Sequence, residues 1–329
     1  MDTPLEYAIG IDIGGTTTKF GIVNHRGEIS NTGAIDTGKY DKIEQLVDEL
    51  YEALKPTIEN VGGENFIKGI GVGAPNGNYY SGTIEYAPNL HWEGIIPIAK
   101  LITEKFNKPC TLTNDANAAA VGEMMYGAAR GMRDFIMITL GTGVGSGIIA
   151  NGQLIYGHDG FAGELGHTII RPEGRLHYGT GMKGSLETYA SATGIAFTAR
   201  EMLDARADEK SLLRNIRYDE ITSKKVYEAA VKGDTIANDV YTFTGKILGE
   251  ALANFIMFSS PEAIILFGGV TKAGKLLLDP VKENMEKNLL PIFQNKVKLL
   301  FSELKESDAA ILGASALAWE IKEEVKPIL

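Results

Sequence analysis

Two apolar runs near the start of the chain, with a third segment after a polar turn, predict three β-strands. The segments are residues 7–13, 19–24 and 29–36, and the polar residues 24–27 predict a hairpin turn between the last two. Between the first two segments the chain places Asp12, the pair Gly14 and Gly15, a run of threonines and Lys19. A break of this composition between two apolar strands suggests a role beyond turning the chain.

Helical spacing of apolar residues predicts a helix at residues 41–55, ended by Pro56. The apolar, glycine-spaced segment 66–74 predicts a buried strand. The remaining elements of this half are predicted to be a helix at residues 95–106, a strand at 109–113 and a helix at 115–126. The last of these is rich in alanine, which favours close packing against a neighbouring element.

The opening pattern returns in residues 134–155, which again predict a strand, a glycine–threonine turn, a strand, a hairpin and a strand. When the two copies are superposed, Gly14 falls on Gly141, and the first hairpin falls near Asn151 and Gly152. This repeat predicts an internal duplication in which each half is a mixed sheet with helices, and the two halves face each other.

Beyond the second copy, residues 157–186 contain many glycines and histidines and little periodicity. A loop of this length in a compact protein is usually functional. Residues 191–258 are predicted to be mainly helical, and residues 261–270 form a buried strand that runs into Gly268 and Gly269. The last predicted elements are a helix at residues 276–289, a strand at 297–302 and a closing helix at 309–320.

Length and composition restrict the class of protein. With 329 residues, 44% of them hydrophobic and 22% charged, the chain is expected to form a globular protein of two domains. The net charge of -10 disfavours a nucleic-acid partner, which needs a basic face. Cys110 is the single cysteine, so an intrachain disulfide or a thiolate-rich metal site cannot form. Without a leader-like segment or an apolar run of about 20 residues, we expect a cytoplasmic protein without membrane contact.

The first glycine turn, Gly14 and Gly15, has the chemistry of phosphate binding. Successive backbone N–H groups in a tight turn form a nest for anions, and the hydroxyls of residues 16–18, beginning with Thr16, would add donors. Lys19 would add positive charge. Asp12 would repel a bare phosphate, so its presence favours Mg²⁺ between the carboxylate and the phosphate oxygens. A simple hairpin turn with a solvated acid is the alternative.

Two later glycine turns complete this pattern. The second glycine turn, formed by Gly141, Thr142 and Gly143, lacks the acid and the lysine. This asymmetry fits two turns that hold different phosphates of one nucleotide. The third glycine turn, Gly268 and Gly269, follows a buried strand, and a purely structural turn is the alternative there.

Several motifs resemble known families. The segments DIGGTTTKFGIV, LGTGVGSGII and LFGGV resemble, in this order, the two phosphate motifs and the adenosine motif of the actin/hexokinase/Hsp70 superfamily. The segments GAPNGNYYSGTIEYAPNLHW, TNDANAAAVGE, GELGH and GSLETYAS resemble the ROK family of sugar kinases and repressors, and the resemblance extends over almost the whole chain.

The resemblance implies an α/β fold of two ribonuclease-H-like (actin-like ATPase) domains around an interdomain cleft. It also implies ATP and Mg²⁺ as cofactors, a hexose as substrate and a homodimer as the assembly. We expect residues 1–113 together with the closing segment 308–329 to form the smaller domain and residues 114–307 to form the larger one.

Transfer of a phosphoryl group to a hydroxyl needs a base at the acceptor oxygen. Asp115, which lies where a predicted strand meets a predicted helix, is our candidate, and the ROK resemblance places the catalytic aspartate there. An N-cap role for Asn114 and Asp115 is the alternative. By resemblance, the hexose is held by Asn89, Asn114, Asp115, Glu164, His167 and Glu187. Alternatives are a turn residue for Asn89 and a structural histidine for His167, while the remaining histidines are predicted to be structural or at the surface (His25, His91, His158 and His177).

One departure from the ROK pattern concerns zinc. The family's second signature usually carries three cysteines that bind a structural zinc together with the motif histidine. Here these positions hold Tyr178, Thr180 and Ser185, whose neutral side chains cannot replace thiolates. His167 and His177 could supply two ligands, but a closed site needs about four. We therefore predict no zinc, and we expect packing and hydrogen bonds to hold this loop, with Tyr178 filling part of the volume.

Together these features predict an ATP-dependent hexose kinase, with glucose as the first choice because APNLHW and NDANAAA are closest to the glucokinase form of the family. Kinases for N-acetylmannosamine, N-acetylglucosamine, fructose or allose are the alternatives. A sugar-responsive repressor would need a helix-turn-helix before the first strand, and the few residues before Tyr7 leave no room for one. A chaperone-type or actin-like ATPase would leave GELGH unexplained.

Overall fold

The structure is a computed structural model that describes residues 6–320, and the closing residues 321–329 of the predicted smaller domain lie outside this range. Its strands are β1 (Tyr7–Ile13), β2 (Thr17–Asn24), β3 (Ile29–Asp36), β4 (Ile67–Gly73), β5 (Gly77–Asn78), β6 (Thr83–Glu85), β7 (Ile95–Ile96), β8 (Cys110–Thr113), β9 (Phe135–Leu140), β10 (Val144–Ala150), β11 (Gln153–Leu154), β12 (Ala263–Phe267) and β13 (Lys298–Phe301). Its helices are α1 (Ile43–Asn60), α2 (Ile98–Phe106), α3 (Asp115–Tyr126), α4 (Glu187–Ala190), α5 (Ala192–Ala205), α6 (Ser223–Val231), α7 (Thr235–Ser259), α8 (Lys275–Lys287) and α9 (Ala309–Trp319).

Two five-stranded sheets repeat the same topology. The first has the order β3-β2-β1-β4-β8 and the second the order β11-β10-β9-β12-β13. In each sheet the first three strands are antiparallel, and the last two join in parallel. The predicted internal duplication is therefore confirmed. A small third sheet of β5, β6 and β7 follows β4.

Each large sheet has its own hydrophobic core. In the first, side chains of α1 and α2, among them Leu46, Leu50 and Ile102, pack with those of β1 and β4. In the second, α5, α6, α7 and α8 cover β9 and β12. Burial of these faces supplies the main favourable contribution to folding.

Two helices of small residues, α3 and α9, lie against the sheets. A β-carbon at Gly73 of β4 would lie 3.3 Å from Ala118 Cβ, and one at Gly147 of β10 would lie 2.6 Å from Ala120 Cβ. Helix α3 therefore contacts strands of both sheets, which accounts for its alanine-rich sequence. Helix α9 packs on β1 and β4, so the closing helix joins the first sheet.

Two predicted boundaries are wrong because tertiary packing outweighs local signals. Helix α1 does not end at Pro56 but continues to Asn60. Pro56 is exposed, and the next two residues, Thr57 and Ile58, are buried against the sheet, so packing sustains the last turn. The helix predicted from residue 95 begins at Ile98, because Ile95 and Ile96 pair with β6.

The predicted filling role of Tyr178 is also wrong, since this residue is 80% exposed. In the part of the chain that the structure describes, no helix combines the length and the apolar character needed to cross a bilayer.

The contact between α9 and the first sheet leads to a stability prediction. A β-carbon at Gly71 of β4 would collide with the backbone oxygen of Ala314 in α9. Because the β-carbon is fixed to the strand backbone and its partner is a backbone oxygen, the collision can be relieved only by displacing the helix or the strand. We expect Gly71→Ala to lower the free energy of unfolding by about 3 kcal/mol, at the upper end of overpacking effects.

Urea denaturation of the full chain measures this effect. Gly38→Ala is the matched control, because Gly38 is exposed and its β-carbon would meet only a flexible carboxylate at 3.4 Å. Equal stability of the two variants would contradict the proposed backbone contact.

Candidate active site

The first glycine turn connects β1 to β2 and is closed by the Gly14 N–H, which donates to Thr17 O at 3.1 Å. A β-carbon at Gly15 would collide with Asn89 O, so the turn touches the segment that carries Asn89. Thr16 is exposed beside the turn, whereas Thr18 is buried and hydrogen-bonded to Thr37 Oγ1 at 2.8 Å. The expectation that Thr18 adds a donor is wrong, because strand alternation turns it into the core.

Asp12 lies near the end of β1, directly across from Lys19 of β2. A β-carbon at Gly73 would lie 3.7 Å from Asp12 Oδ1 and 3.6 Å from Asp115 Cα, so the two aspartates border the same space. Burial, and to a smaller extent the charge of Asp115, raise the pKa of Asp12 to about 6, while Lys19 acts in the opposite direction. This enclosed carboxylate beside a glycine turn is well suited to a divalent cation.

Helix α3 begins at the candidate base. Asn114 is its N-cap, and Asn114 Oδ1 accepts from the Asn117 N–H at 2.6 Å. The N-cap alternative therefore holds for Asn114, although its amide N–H groups stay free to donate. Asp115 is the first helical residue, and its Oδ1 accepts from the Ala116 N–H at 2.8 Å.

The Asp115 side chain is accessible to a ligand although protein atoms surround most of it. Its side chain is open to solvent along one side, but protein atoms surround it closely, and this burial raises its pKa. A raised pKa makes the ionised carboxylate a stronger base. On the far side, a β-carbon at Gly145 of β10 would lie 2.9 Å from Ala116 Cβ, so the start of α3 also adjoins the second sheet.

The second and third glycine turns lie next to each other. Strands β9 and β12 are parallel neighbours, and a β-carbon at Gly268 would lie 2.6 Å from Leu140 O, immediately before Gly141. A β-carbon added at Gly141 or at Gly269 would have no neighbouring atom within 4 Å. The second turn is held by α5, because the Ala192 N–H donates to Gly141 O at 2.8 Å, and Thr193 Oγ1 donates to Thr142 O at 3.0 Å.

Glu164 and His167 are carried by a short segment that packs on β10. Ser146 of β10 holds this segment, since its hydroxyl donates to Gly163 O and accepts from the Leu165 N–H. His167 Nε2 lies 3.9 Å from Glu164 Oε2. Burial raises the pKa of Glu164, His167 lowers it, and the charges of Asp115 and Glu187 raise it further. Glu164 is therefore within electrostatic reach of both carboxylates.

Glu187 opens α4 and is held through both carboxylate oxygens. Oε2 accepts from the Val144 N–H at 2.7 Å, and Oε1 lies 2.6 Å from His177 Nε2. His177 was predicted to be structural or at the surface, and its contact with Glu187 was not expected, because the glycine-rich loop around it has no period that indicates where its side chains point. The ring of His177 also meets that of His167, with centroids 5.7 Å apart.

A cavity of about 460 Å³ adjoins the second glycine turn. Its walls include residues of that turn, of the loop before α4 and of α5, among them Thr142, Gly143, His177, Glu187, Thr193 and Phe197. Between residues 6 and 320 no group of three or more His, Cys, Asp or Glu side chains is arranged to hold a metal ion. A Mg²⁺ ion bound with a nucleotide needs only one or two protein carboxylates, and Asp12 can supply one. The lack of zinc stays a prediction.

Comparison with known proteins identifies the family. The model of the ROK family matches residues 8–321 of the chain. The chain belongs to the ROK family. A glucokinase from Halalkalibacterium halodurans is 36% identical over 320 residues, which cover 97% of this chain and 96% of that protein. A glucokinase from Thermotoga maritima is 33% identical over 325 residues, which cover 96% of this chain and 98% of that protein.

A solved structure agrees with this assignment. The crystal structure of a ROK family glucokinase from Streptomyces griseus in complex with glucose and AMPPNP matches with a TM-score of 0.76 and 33% identity, covering 96% of this chain and 100% of that chain. The predicted fold class, two ribonuclease-H-like domains of the actin-like ATPase type, is confirmed by this likeness and by the duplicated sheets.

The enclosed carboxylate of Asp12 leads to a prediction on stability and pH. Its pKa is higher in the folded chain than the ordinary value of 3.8, so the unfolded chain ionises first and the folded state loses stability as the pH rises from about 4 to about 6. A shift of this size corresponds to at most about 3 kcal/mol. We expect Asp12→Asn to raise the free energy of unfolding by up to that amount near pH 7, and to have little effect near pH 4, where Asp12 is largely protonated in the folded chain.

Urea titrations of wild type and variant at both pH values measure this difference. Asp41→Asn is the control, because it removes an exposed carboxylate outside the site. A lower stability of Asp12→Asn near pH 7 would show that Asp12 is a net stabilising ion.

Proposed function

We propose that this ROK protein transfers the γ-phosphoryl group of ATP to a hexose, and that the hexose is D-glucose, giving glucose 6-phosphate. The observation that carries the proposal is the shared space bordered by Asp12 and Asp115, between the first glycine turn and the second sheet. The glucokinases that match nearly the whole chain, and the related structure in complex with glucose and AMPPNP, support the choice of both substrates.

The nucleotide would lie across the three glycine turns. Backbone N–H groups of the first turn, with Thr16 and Lys19, would hold one end of the phosphate chain, and the second turn would hold the other. The open space at Gly269 would receive the adenosine, beside Gly268. Asp12 would carry Mg²⁺ through water, and the ion would neutralise charge that develops on the phosphate oxygens.

The hexose would lie deeper in the crevice. Its hydroxyls both donate and accept hydrogen bonds, so carboxylates, amides and an imidazole suit them. We assign its binding to Asn89, Asn114, Glu164, His167 and Glu187. Glu164 has electrostatic reach to both Asp115 and Glu187, which supports a single sugar site rather than scattered contacts.

Asp115 acts in this proposal as the general base. Its carboxylate accepts the proton of the attacking sugar hydroxyl as the oxygen bonds to the γ-phosphorus. Enclosure by protein keeps the carboxylate from being fully hydrated, which strengthens it as a base. Closure of the two halves on the sugar would exclude water and suppress wasteful hydrolysis of ATP.

The domain division, assembly and location follow the family resemblance. We propose that residues 1–113 and 308–329 form one domain and residues 114–307 the other. Separate hydrophobic cores on the outer faces of the two sheets support this division, and a third cluster, which joins α3, α9 and the second sheet, lies where the two proposed domains meet. A homodimer and a cytoplasmic location complete the proposal.

The base assignment predicts the behaviour of Asp115→Asn. The amide keeps the shape of the side chain but cannot accept the proton, so we expect turnover to fall by a factor of about 10³ or more. Glucose affinity should change by less than about tenfold, since the other sugar contacts remain. Coupled ADP-release assays and calorimetry measure the two quantities.

Asp41→Asn controls for loss of a carboxylate away from the site. Wild-type turnover in Asp115→Asn would remove Asp115 from the base role. The wild-type enzyme should also be assayed with glucose, N-acetylmannosamine, N-acetylglucosamine, fructose and allose, because a few pocket contacts decide between hexoses. A preference for another of these sugars would replace glucose but keep the kinase assignment.

Replacement of the cysteines by Tyr178, Thr180 and Ser185 predicts the metal content. We expect purified protein to contain no stoichiometric zinc, and activity with Mg²⁺ to survive treatment with a zinc-selective chelator. Elemental analysis of the purified chain tests this. About one zinc per chain would contradict the prediction.

A further inference from the structure

His177 lies in the loop formed by residues 171–184, which precedes α4 and which we call the 171–184 loop. Its Nε2 is 2.6 Å from Glu187 Oε1, and the two side chains are only 21% and 18% exposed. A hydrogen bond that is shielded from water in this way is short and charge-assisted, and it fixes both partners more firmly than an exposed one would.

The surrounding loop determines which ring nitrogen of His177 carries the proton. The backbone N–H of Thr180 donates to His177 Nδ1 at 3.1 Å. The Thr180 hydroxyl accepts from the Met182 N–H at 3.3 Å and is therefore free to donate to His177 Nδ1, at 2.9 Å. Since Nδ1 accepts, the proton of the neutral ring lies on Nε2, which donates to Glu187.

Glu187 is thereby held from two directions. Its other oxygen, Oε2, accepts from the Val144 N–H at 2.7 Å, immediately after the second glycine turn. One carboxylate thus connects the 171–184 loop to a turn of the proposed nucleotide site. Each oxygen keeps a further lone pair, so Glu187 can still accept a hydroxyl from a ligand.

The loop that presents His177 is itself anchored by Arg175. The Arg175 guanidinium pairs with Glu201 at 2.5 Å and donates to Thr188 O at 3.0 Å. It also stacks over the Tyr189 ring, 4.5 Å from the centroid. These contacts fix the loop to α4 and α5, so His177 approaches Glu187 from a rigid support.

We propose that His177 is a positioning residue, whose Nε2–H holds Glu187 in the orientation that accepts a sugar hydroxyl. The inference rests on the proposed function, in which Glu187 binds the hexose. In this view the His177 hydrogen bond orients the Glu187 carboxylate before the sugar binds. His177 therefore contributes to sugar affinity without touching the sugar.

Two variants separate the hydrogen bond from the bulk of the ring. His177→Phe keeps the ring volume and loses the donor, whereas His177→Gln offers an amide donor near the position of Nε2. We expect the Kd for glucose, measured by calorimetry without nucleotide, to rise about tenfold or more in His177→Phe and to stay within about threefold in His177→Gln. KM for glucose should follow Kd, with a smaller change in kcat.

His25→Phe is the matched control. His25 is exposed in the turn between β2 and β3, at the end of β2 that lies away from the first glycine turn. This variant should bind glucose like the wild type.

Amide hydrogen exchange at Val144 tests the same contact without any sugar. If His177 fixes Glu187, exchange of the Val144 N–H should become faster in His177→Phe and stay slow in His177→Gln. Wild-type affinity and exchange in His177→Phe would overturn the inference, as would equal losses in the two variants. A wild-type chain that binds no hexose, with Val144 exchange changed only in His177→Phe, would reject the proposed function and support the hold of His177 on Glu187.

Discussion

The candidate site depends on two aspartates that the fold keeps close together in a partly enclosed space. Gly73 makes this possible, because a side chain at that position would occupy the volume between Asp12 and Asp115. Burial of Asp12 and repulsion between the two carboxylates both make its ionised form less stable. The raised pKa of Asp12 reflects these two effects. The two sheets and their separate cores supply the stability that tolerates this arrangement.

The duplicated sheets are alike in topology but differ in the groups that hold their glycine turns. The second turn receives a backbone hydrogen bond from the start of α5 and a hydroxyl from Thr193, and Glu187 binds the N–H that follows it. The first turn is closed by the bond between Gly14 and Thr17, receives a hydrogen bond from the Thr37 N–H to Thr16 O at 2.9 Å, and rests against Asn89. Backbone hydrogen bonds therefore fix both turns, and only the second is also held by a carboxylate, that of Glu187.

Much of this architecture could be predicted where local patterns and packing agree. Strand β1 and helix α3 have the predicted bounds, since the apolar run of β1 and the N-cap at Asn114 coincide with their packing. The predicted end of α1 was wrong because burial of Thr57 and Ile58 outweighs the local effect of Pro56. The prediction that Thr18 donates to a phosphate was wrong because a sequence motif does not indicate which face of a strand a residue occupies.

The site itself was harder to predict in detail. The glycine turns and Asp115 stand at ends of predicted elements, so sequence could indicate them. The contact between His177 and Glu187 depends on the path of the 171–184 loop, which has no regular period and is set by Arg175 and by close backbone packing. Such a path is decided by long-range contacts, which sequence reasoning on single segments does not supply.

The position of α9 has a consequence for how the chain is made. This helix packs against β1 and β4, and backbone atoms of Ile311 and Ala314 fill the space beside Gly10 and Gly71. On the ribosome, the strands of the first sheet emerge well before α9, the helix that covers one face of them. Until α9 is made, the face of β1 and β4 that it covers stays open, and residues of the second sheet that pack with Ala316 and Leu317 also lack these partners. Exposed apolar surface of this kind makes a partly folded chain prone to aggregation and is what chaperones protect.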